Sequence, residues 1–204
     1  MSEIYALSDD SLTPPQTIFS QIDEILRCGV KLVQYRSKLA AQDEALIRSS
    51  ISLCEDYGAK LIINDDAALA KKLGAHGVHI GKGDGETAQV REFLGADKII
   101  GVSCYADLAR ARQAEAQGAS YVAFGSLRRG KTKPDAPLCP DALVQEARKS
   151  LNLPIAVIGG ISLENLNEIL ALKPDYIAMV EAIYRPASIT QNLENLKEKM
   201  DEYI

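Results

Sequence analysis

The residues best suited to chemistry lie between Leu61 and Asp84, in the stretch LIINDDAALAKKLGAHGVHIGKGD. It reads as strand, helix, strand. Leu61-Ile62-Ile63 is a short continuous apolar run, residues 67–73 place Ala, Leu and Lys at helical spacing until Gly74 stops them, and Val78-His79-Ile80 re-enters a strand. Each strand hands over at its C-terminal end to a carboxylate: Asp65 and Asp66 behind Asn64, and Asp84 behind Gly81-Lys82-Gly83. Neighbouring strands run about 4.8 Å apart, so side chains leaving equivalent ends of two adjacent parallel strands can converge on one small cation. Asp65 and Asp84 are hard oxygen donors, and two carboxylates with room left for water and phosphate is the arrangement that Mg²⁺ tolerates. The competing assignment is structural: Asp65 or Asp66 caps the next helix and Asp84 serves a turn.

Those strand ends must be positioned by the rest of the chain, which alternates short apolar strands with longer helical patterns eight times. Strands are predicted at 4–8, 32–36, 61–64, 77–81, 99–104, 121–125, 155–159 and 176–182. Helical patterns follow at 15–28, 42–57, 67–73, 87–94, 107–117, 140–148, 163–170 and 189–202. Glycines at 29, 58, 74 and 118 end helices just before the chain turns back. A βα unit of roughly 25 residues repeated in this way predicts a small closed (β/α)₈ TIM barrel, one domain over residues 1–204. An open doubly wound sheet fits less well, because its strand count is usually lower.

Composition agrees with one sizeable core: 204 residues, 47% hydrophobic and 25% charged. The net charge of −5 argues against a nucleic-acid partner, since phosphate backbones are held by basic surfaces. Cys28, Cys54, Cys104 and Cys139 are widely spaced and form no C-x-x-C, which reads as reduced, cytoplasmic cysteines. The N-terminus enters a strand almost at once, without the pattern of a signal peptide, and no stretch is long enough to span a membrane. Assembly into a homo-oligomer is left open.

Active sites of such barrels lie at the C-terminal ends of the strands. Strand two ends Gln34-Tyr35-Arg36-Ser37-Lys38, which offers a guanidinium fork, an ammonium and an amide to a phosphate. Strand five ends Val102-Ser103-Cys104, where Ser103 either hydrogen-bonds a ligand or begins the next helix. The loop after strand six, residues 126–137, carries Arg128, Arg129, Lys131 and Lys133 around Gly130, a composition suited to closing over a polyanion. Strand seven ends Gly159-Gly160, whose backbone N–H groups can face a ligand, and strand eight ends Val180-Glu181. Of the two histidines, His76 reads as a turn residue and His79 as a structural one, since neither has metal-ligand partners at the usual spacing.

Taken together, QYRSK at 34–38, IINDD at 62–66, GVHIGKGD at 77–84, IIGVSC at 99–104, YVAFGS with TK at 121–133, VIGGI at 157–161 and VEAI at 180–183 resemble the thiamine-phosphate synthase family over nearly the whole chain. The resemblance implies a Mg²⁺-dependent transferase that joins two small-molecule substrates. These are 4-amino-2-methyl-5-(diphosphooxymethyl)pyrimidine and a thiazole phosphate, and pyrophosphate is released. It implies that Gln34, Arg36, Lys38, Asn64, Ser103 and Lys133 hold the pyrimidine diphosphate, within the substrate-binding run Gln34-Tyr35-Arg36-Ser37-Lys38. By the same resemblance Asp65 and Asp84 hold Mg²⁺, and Thr132, Gly160, Val180 and Glu181 contact the thiazole phosphate. Arg36, Lys38, Ser103 and Lys133 would be the catalytic group. Two positions depart from the family pattern: Arg129-Gly130 stands where Pro-Thr is usual, and Glu181 where serine is usual. An anion at 181 repels a bound phosphate unless it points away or pairs with Arg128 or Arg129. Rival readings are a thiazole tautomerase on the same barrel and a non-catalytic thiamine-precursor binder.

Overall fold

A computed structural model describes residues 2–130 and 137–203. The strands are β1 (Glu3–Leu7), β2 (Leu32–Tyr35), β3 (Lys60–Asn64), β4 (Gly77–Ile80), β5 (Ile99–Tyr105), β6 (Tyr121–Gly125), β7 (Ile155–Ile158) and β8 (Tyr176–Met179). The helices are α1 (Ile18–Arg27), α2 (Glu44–Asp56), α3 (Ala67–Leu73), α4 (Thr87–Leu94), α5 (Leu108–Ala116), α6 (Asp141–Ser150), α7 (Leu166–Leu170), α8 (Glu181–Tyr184) and α9 (Ile189–Glu202). All eight strands are parallel and adjacent in chain order, and β8 returns to β1 through Ala6 opposite Met179, closing the barrel.

The predicted units are all present, and α3, α4, α9 and β6 have the predicted bounds. Strand eight is the correction. It stops at Met179, and Glu181 opens the four-residue helix α8 after Val180 turns the chain. A continuous apolar run such as this carries no period that separates strand from helix, and an acidic residue in a first helical turn is favoured by the helix dipole.

Strand alternation builds two packed layers. Val33, Tyr35, Leu61, Ile63, Val78 and Ile80 point outward to the helices, where α1 meets them with Ile18, Ile22, Ile25 and Leu26 on one face. Tyr5, Leu7, Leu32, Ile62, Tyr121, Ala123, Ala156 and Ala178 fill the interior. Side-chain caps start the helices: Asp43, Asp66, Asp107 and Ser188 each accept from a backbone N–H of the first turn. The four cysteines are free. Among the described residues no helix is long and apolar enough to cross a membrane.

The interior also holds a polar stack. The Tyr121 ring stacks on His79 at 5.6 Å with the planes 28° apart and stands edge-on to Tyr5 at 5.8 Å, with Tyr176 edge-on to both tyrosines. Space for the Tyr121 ring comes from β5, where a Cβ on Gly101 would stand 2.0 Å from the ring. His79 is 8% exposed, and burial pushes its pKa down to about 4, so the imidazole is neutral near pH 7. Burial likewise raises the Tyr5 and Tyr121 phenols above their ordinary value.

Two outcomes follow from this interior. Gly101→Ala should destabilise the fold by about 1–3 kcal/mol through overpacking against Tyr121; an unchanged urea midpoint would show that the ring has room to move. For His79, the unfolded value of 6.5 lies above the folded value of about 4, so the unfolded chain takes up the proton first as pH falls. Its contribution is complete above pH 6.5 and shrinks by roughly 3 kcal/mol as the pH drops to about 4. His76, also lowered chiefly by burial, acts in the same direction. The comparison that isolates His79 is therefore the pH slope of urea stability in the parent against His79→Gln, and equal slopes would refute the assignment.

Candidate functional site

The site is built at the C-terminal ends of β2 to β5, where local hydrogen bonds hold the strand ends in place. After β1, the Ser8 hydroxyl accepts from the Arg36 backbone N–H at 2.7 Å and donates to its carbonyl at 2.9 Å, pinning the end of β2. Arg36 points its guanidinium toward Asp9 at 3.8 Å. The Lys38 backbone N–H donates to Asp10 at 2.7 Å, and the Ser37 hydroxyl accepts from Leu39 N–H at 3.2 Å, so Ser37 shapes the loop. Alternation along β2 turns Tyr35 into the outer layer, on the opposite face from Gln34. Gln34 is 2% exposed and donates from Nε2 to the Tyr5 hydroxyl at 2.8 Å.

The ambiguity between Asp65 and Asp66 resolves into two roles. Asp66 caps α3, its Oδ1 accepting from Leu69 N–H at 2.7 Å. Asp65 takes a left-handed backbone conformation, φ +65°, with its N–H donating to the His79 carbonyl at 2.8 Å. Its carboxylate receives the Lys38 ammonium at 2.5 Å. Asp84 does serve a turn, accepting from Gly81 N–H at 2.7 Å, yet it also stands against Asp65. Burial raises the Asp84 carboxyl above its ordinary value; the Gly81 N–H opposes that rise, and the Asp65 charge adds to it. Two carboxylates and one ammonium therefore meet across β2, β3 and β4, in the register that sets Asn64 opposite His79.

Arg110, on α5, ties the next two strand ends together. Its guanidinium donates to the Ser103 carbonyl at 2.8 Å and to the Gly81 carbonyl at 3.1 Å. The Ser103 hydroxyl lies 2.8 Å from Nε2 of His79. The sequence reading missed Arg110, Asp9, Asp10, Tyr5 and Tyr121. Asp9-Asp10 carried a signal, an acidic pair just past the first strand, at the same rim as the other strand ends.

On the far side of the rim, the backbone after β6 continues to pair with β7: Leu127 N–H donates to Ile158 and Arg128 N–H to Gly159. Gly160, at φ +60°, lies under this backbone so closely that a Cβ would come within 2.6 Å of the Arg128 carbonyl oxygen. Arg128 forms a two-bond fork with Asp141, both bonds 2.8 Å, and reaches Glu168 at 3.1 Å; the Asp141 bonds contribute most to holding its pKa above the ordinary value. Arg128 is thus bound to the α6 and α7 side of the barrel. Val180 precedes α8 and Glu181 is its first residue. Thr132 and Lys133 lie outside the described residues.

The family model described as thiamine monophosphate synthase matches residues 4–183. A thiamine-phosphate synthase of Nitrosococcus oceani is 43% identical over 91% of this chain and 87% of its own length. One from an Azoarcus species is 41% identical over 92% of each. Among solved structures, a thiamine phosphate pyrophosphorylase from Pyrococcus furiosus superposes with a TM-score of 0.88 at 26% identity, over 99% of this chain and 96% of that one. Sequence, family model and barrel agree, and the chain belongs to the thiamine monophosphate synthase family.

Proposed function

We propose that the rim formed by Gln34, Arg36, Lys38, Asn64, Asp65, Asp84 and Ser103 binds the pyrimidine diphosphate, with Lys133 as a further diphosphate cation and Mg²⁺ as the cofactor. The chain is a transferase that condenses 4-amino-2-methyl-5-(diphosphooxymethyl)pyrimidine with a thiazole phosphate to give thiamine phosphate and pyrophosphate. The observation that carries the site assignment is the meeting of Asp65, Asp84 and Lys38 at three adjacent strand ends.

In that reaction the bond from the pyrimidine methylene to the diphosphate breaks and its electron pair leaves with pyrophosphate. The thiazole nitrogen supplies the pair for the new C–N bond. Charge develops on the leaving group, so the demand is for fixed cations rather than a strong base. Arg36 and Lys38 provide them beside the carboxylates. The donor chemistry of Asp65 and Asp84 fits Mg²⁺: both are hard oxygens, two of them leave coordination positions for phosphate and water, and their mutual repulsion is relieved by a divalent charge. When bound there, Mg²⁺ would neutralise negative charge on the diphosphate.

For the thiazole phosphate we assign the Gly160 backbone, Thr132 and the Val180-Glu181 turn. Because Arg128 is engaged by Asp141 and Glu168, compensation of the Glu181 charge rests on Arg129.

Asp84→Asn retains an acceptor for Gly81 N–H, so it should fold normally while raising the Mg²⁺ concentration needed for half-maximal pyrophosphate release. An unmoved metal titration would remove Asp84 from the metal site. Arg36→Ala and Lys133→Ala should each lower turnover, by a loss of about 2–4 kcal/mol in transition-state stabilisation, with little change in melting temperature. Loss of activity that tracks loss of fold would instead make either residue structural.

A further inference from the structure

We propose that Tyr5, Tyr121 and His79 form a one-way hydrogen-bond relay from Gln34 to Ser103 that fixes the barrel's polarity toward an aminopyrimidine, with His79 as a positioning residue. This rests on the assignment of Gln34 and Ser103 to the pyrimidine side of the site. Four contacts, each 2.8 Å, make an unbroken line through the barrel interior: Gln34 Nε2 to the Tyr5 hydroxyl, Tyr5 to Tyr121, Tyr121 to His79 Nδ1, and His79 Nε2 to the Ser103 hydroxyl. The line joins β2 to β5 across the barrel, through residues that are all buried except Ser103 at its end.

Counting protons sets the direction. An amide nitrogen only donates, so Tyr5 accepts from Gln34 and has a single proton left to give to Tyr121. Tyr121, accepting that proton, donates its own to Nδ1. An imidazole whose Nδ1 accepts from Tyr121 carries its proton on Nε2. Nε2–H then donates to Ser103, whose own hydroxyl proton is directed away from His79 toward the rim. At the other end, Gln34 has turned its NH₂ to Tyr5, which leaves its carbonyl as the end that faces a ligand. The barrel therefore offers an acceptor at Gln34 and a donor at Ser103.

That polarity matches a 4-aminopyrimidine, which carries an exocyclic donor and ring-nitrogen acceptors. Reversing the line would flip the Gln34 amide, place the imidazole proton on Nδ1 and turn Ser103 into an acceptor, a pattern suited to a 4-oxopyrimidine. Because every link shares its proton with the next, neither end can reverse alone. The relay thus converts two separate side-chain orientations into one specificity choice.

The test has two arms. Ring ¹⁵N spectra of the unmodified chain are simple because it has only two histidines, and His76→Gln assigns the other. The Nε2–H tautomer is expected at His79; an Nδ1–H tautomer overturns the relay's direction, and this measurement holds whether or not any buried variant folds. The kinetic arm compares kcat/KM for the amino substrate and its 4-oxo analogue. Tyr121→Phe keeps the ring and cuts the line, so selectivity for the amino compound should fall about tenfold in the parent and by no more than about twofold in a Ser103→Ala background. Tyr5→Phe, cutting the first link, should follow the same pattern. Equal losses in both backgrounds would mean that the tyrosines act only structurally and would overturn the proposal. A fully active Ser103→Ala would instead defeat the site assignment itself, and the relay's role in selectivity with it.

Discussion

Pairing of the last strand with the first is the constraint on which the rest of this molecule depends. Once Ala6 and Met179 are register partners, the sheet has no edge, and eight parallel strands must release their C-terminal residues around one rim. That common direction is what places Lys38 from β2, Asp65 from β3 and Asp84 from β4 within reach of one another, although 46 positions separate the first from the last. Like charges standing this close oppose folding, and the Lys38 ammonium offsets part of that repulsion. The cluster is anchored to strand ends by Ser8, Gly81 and Arg110, so its geometry is inherited from the barrel.

The interior beneath that rim departs from the branched aliphatic filling usual in this fold. Tyr5, Tyr121, Tyr176 and His79 occupy space left by Gly101, Ala123, Ala156 and Ala178. Burying such groups costs stability unless each finds a partner. Here Tyr5, Tyr121 and His79 satisfy one another together with Gln34 and Ser103, and among the described residues no buried side-chain nitrogen or oxygen lacks a hydrogen bond. Large rings and small residues are therefore mutually required, and the polar floor links β1, β2, β4, β5 and β6 below the rim of strand ends.

On the β6–β8 side the architecture combines close backbone approach with an ion-pair network. Glycines at 159 and 160, both at positive φ, let the chain after β6 lie directly against the end of β7. The Arg128 fork to Asp141 and its contact with Glu168 secure that segment to two neighbouring helices. The charge departure at Glu181 has a local reason as well, since the residue opens α8, where a negative side chain suits the first turn.

Strand and helix alternation, the eightfold count and the rim location were determined by the sequence alone, because periodicity, glycine stops and acidic or basic strand ends are local features. Candidate residues at 34, 36, 38, 64, 65, 84 and 103 were legible for the same reason: each lies near the C-terminal end of a recognisable strand or just beyond it. Other assignments needed the folded chain. Asp65 and Asp66 are chemically identical neighbours, and only the backbone turn at φ +65° sends one to the rim and leaves the other to cap α3. The end of β8 was hidden in an apolar run without a period, where tertiary packing decides between strand and helix. Tyr5 and Tyr121 read as ordinary strand aromatics, since 116 positions separate the two hydroxyls that bond in the interior. A hydrogen bond between distant strands leaves no local pattern; it exists only after closure sets which inward faces share a layer.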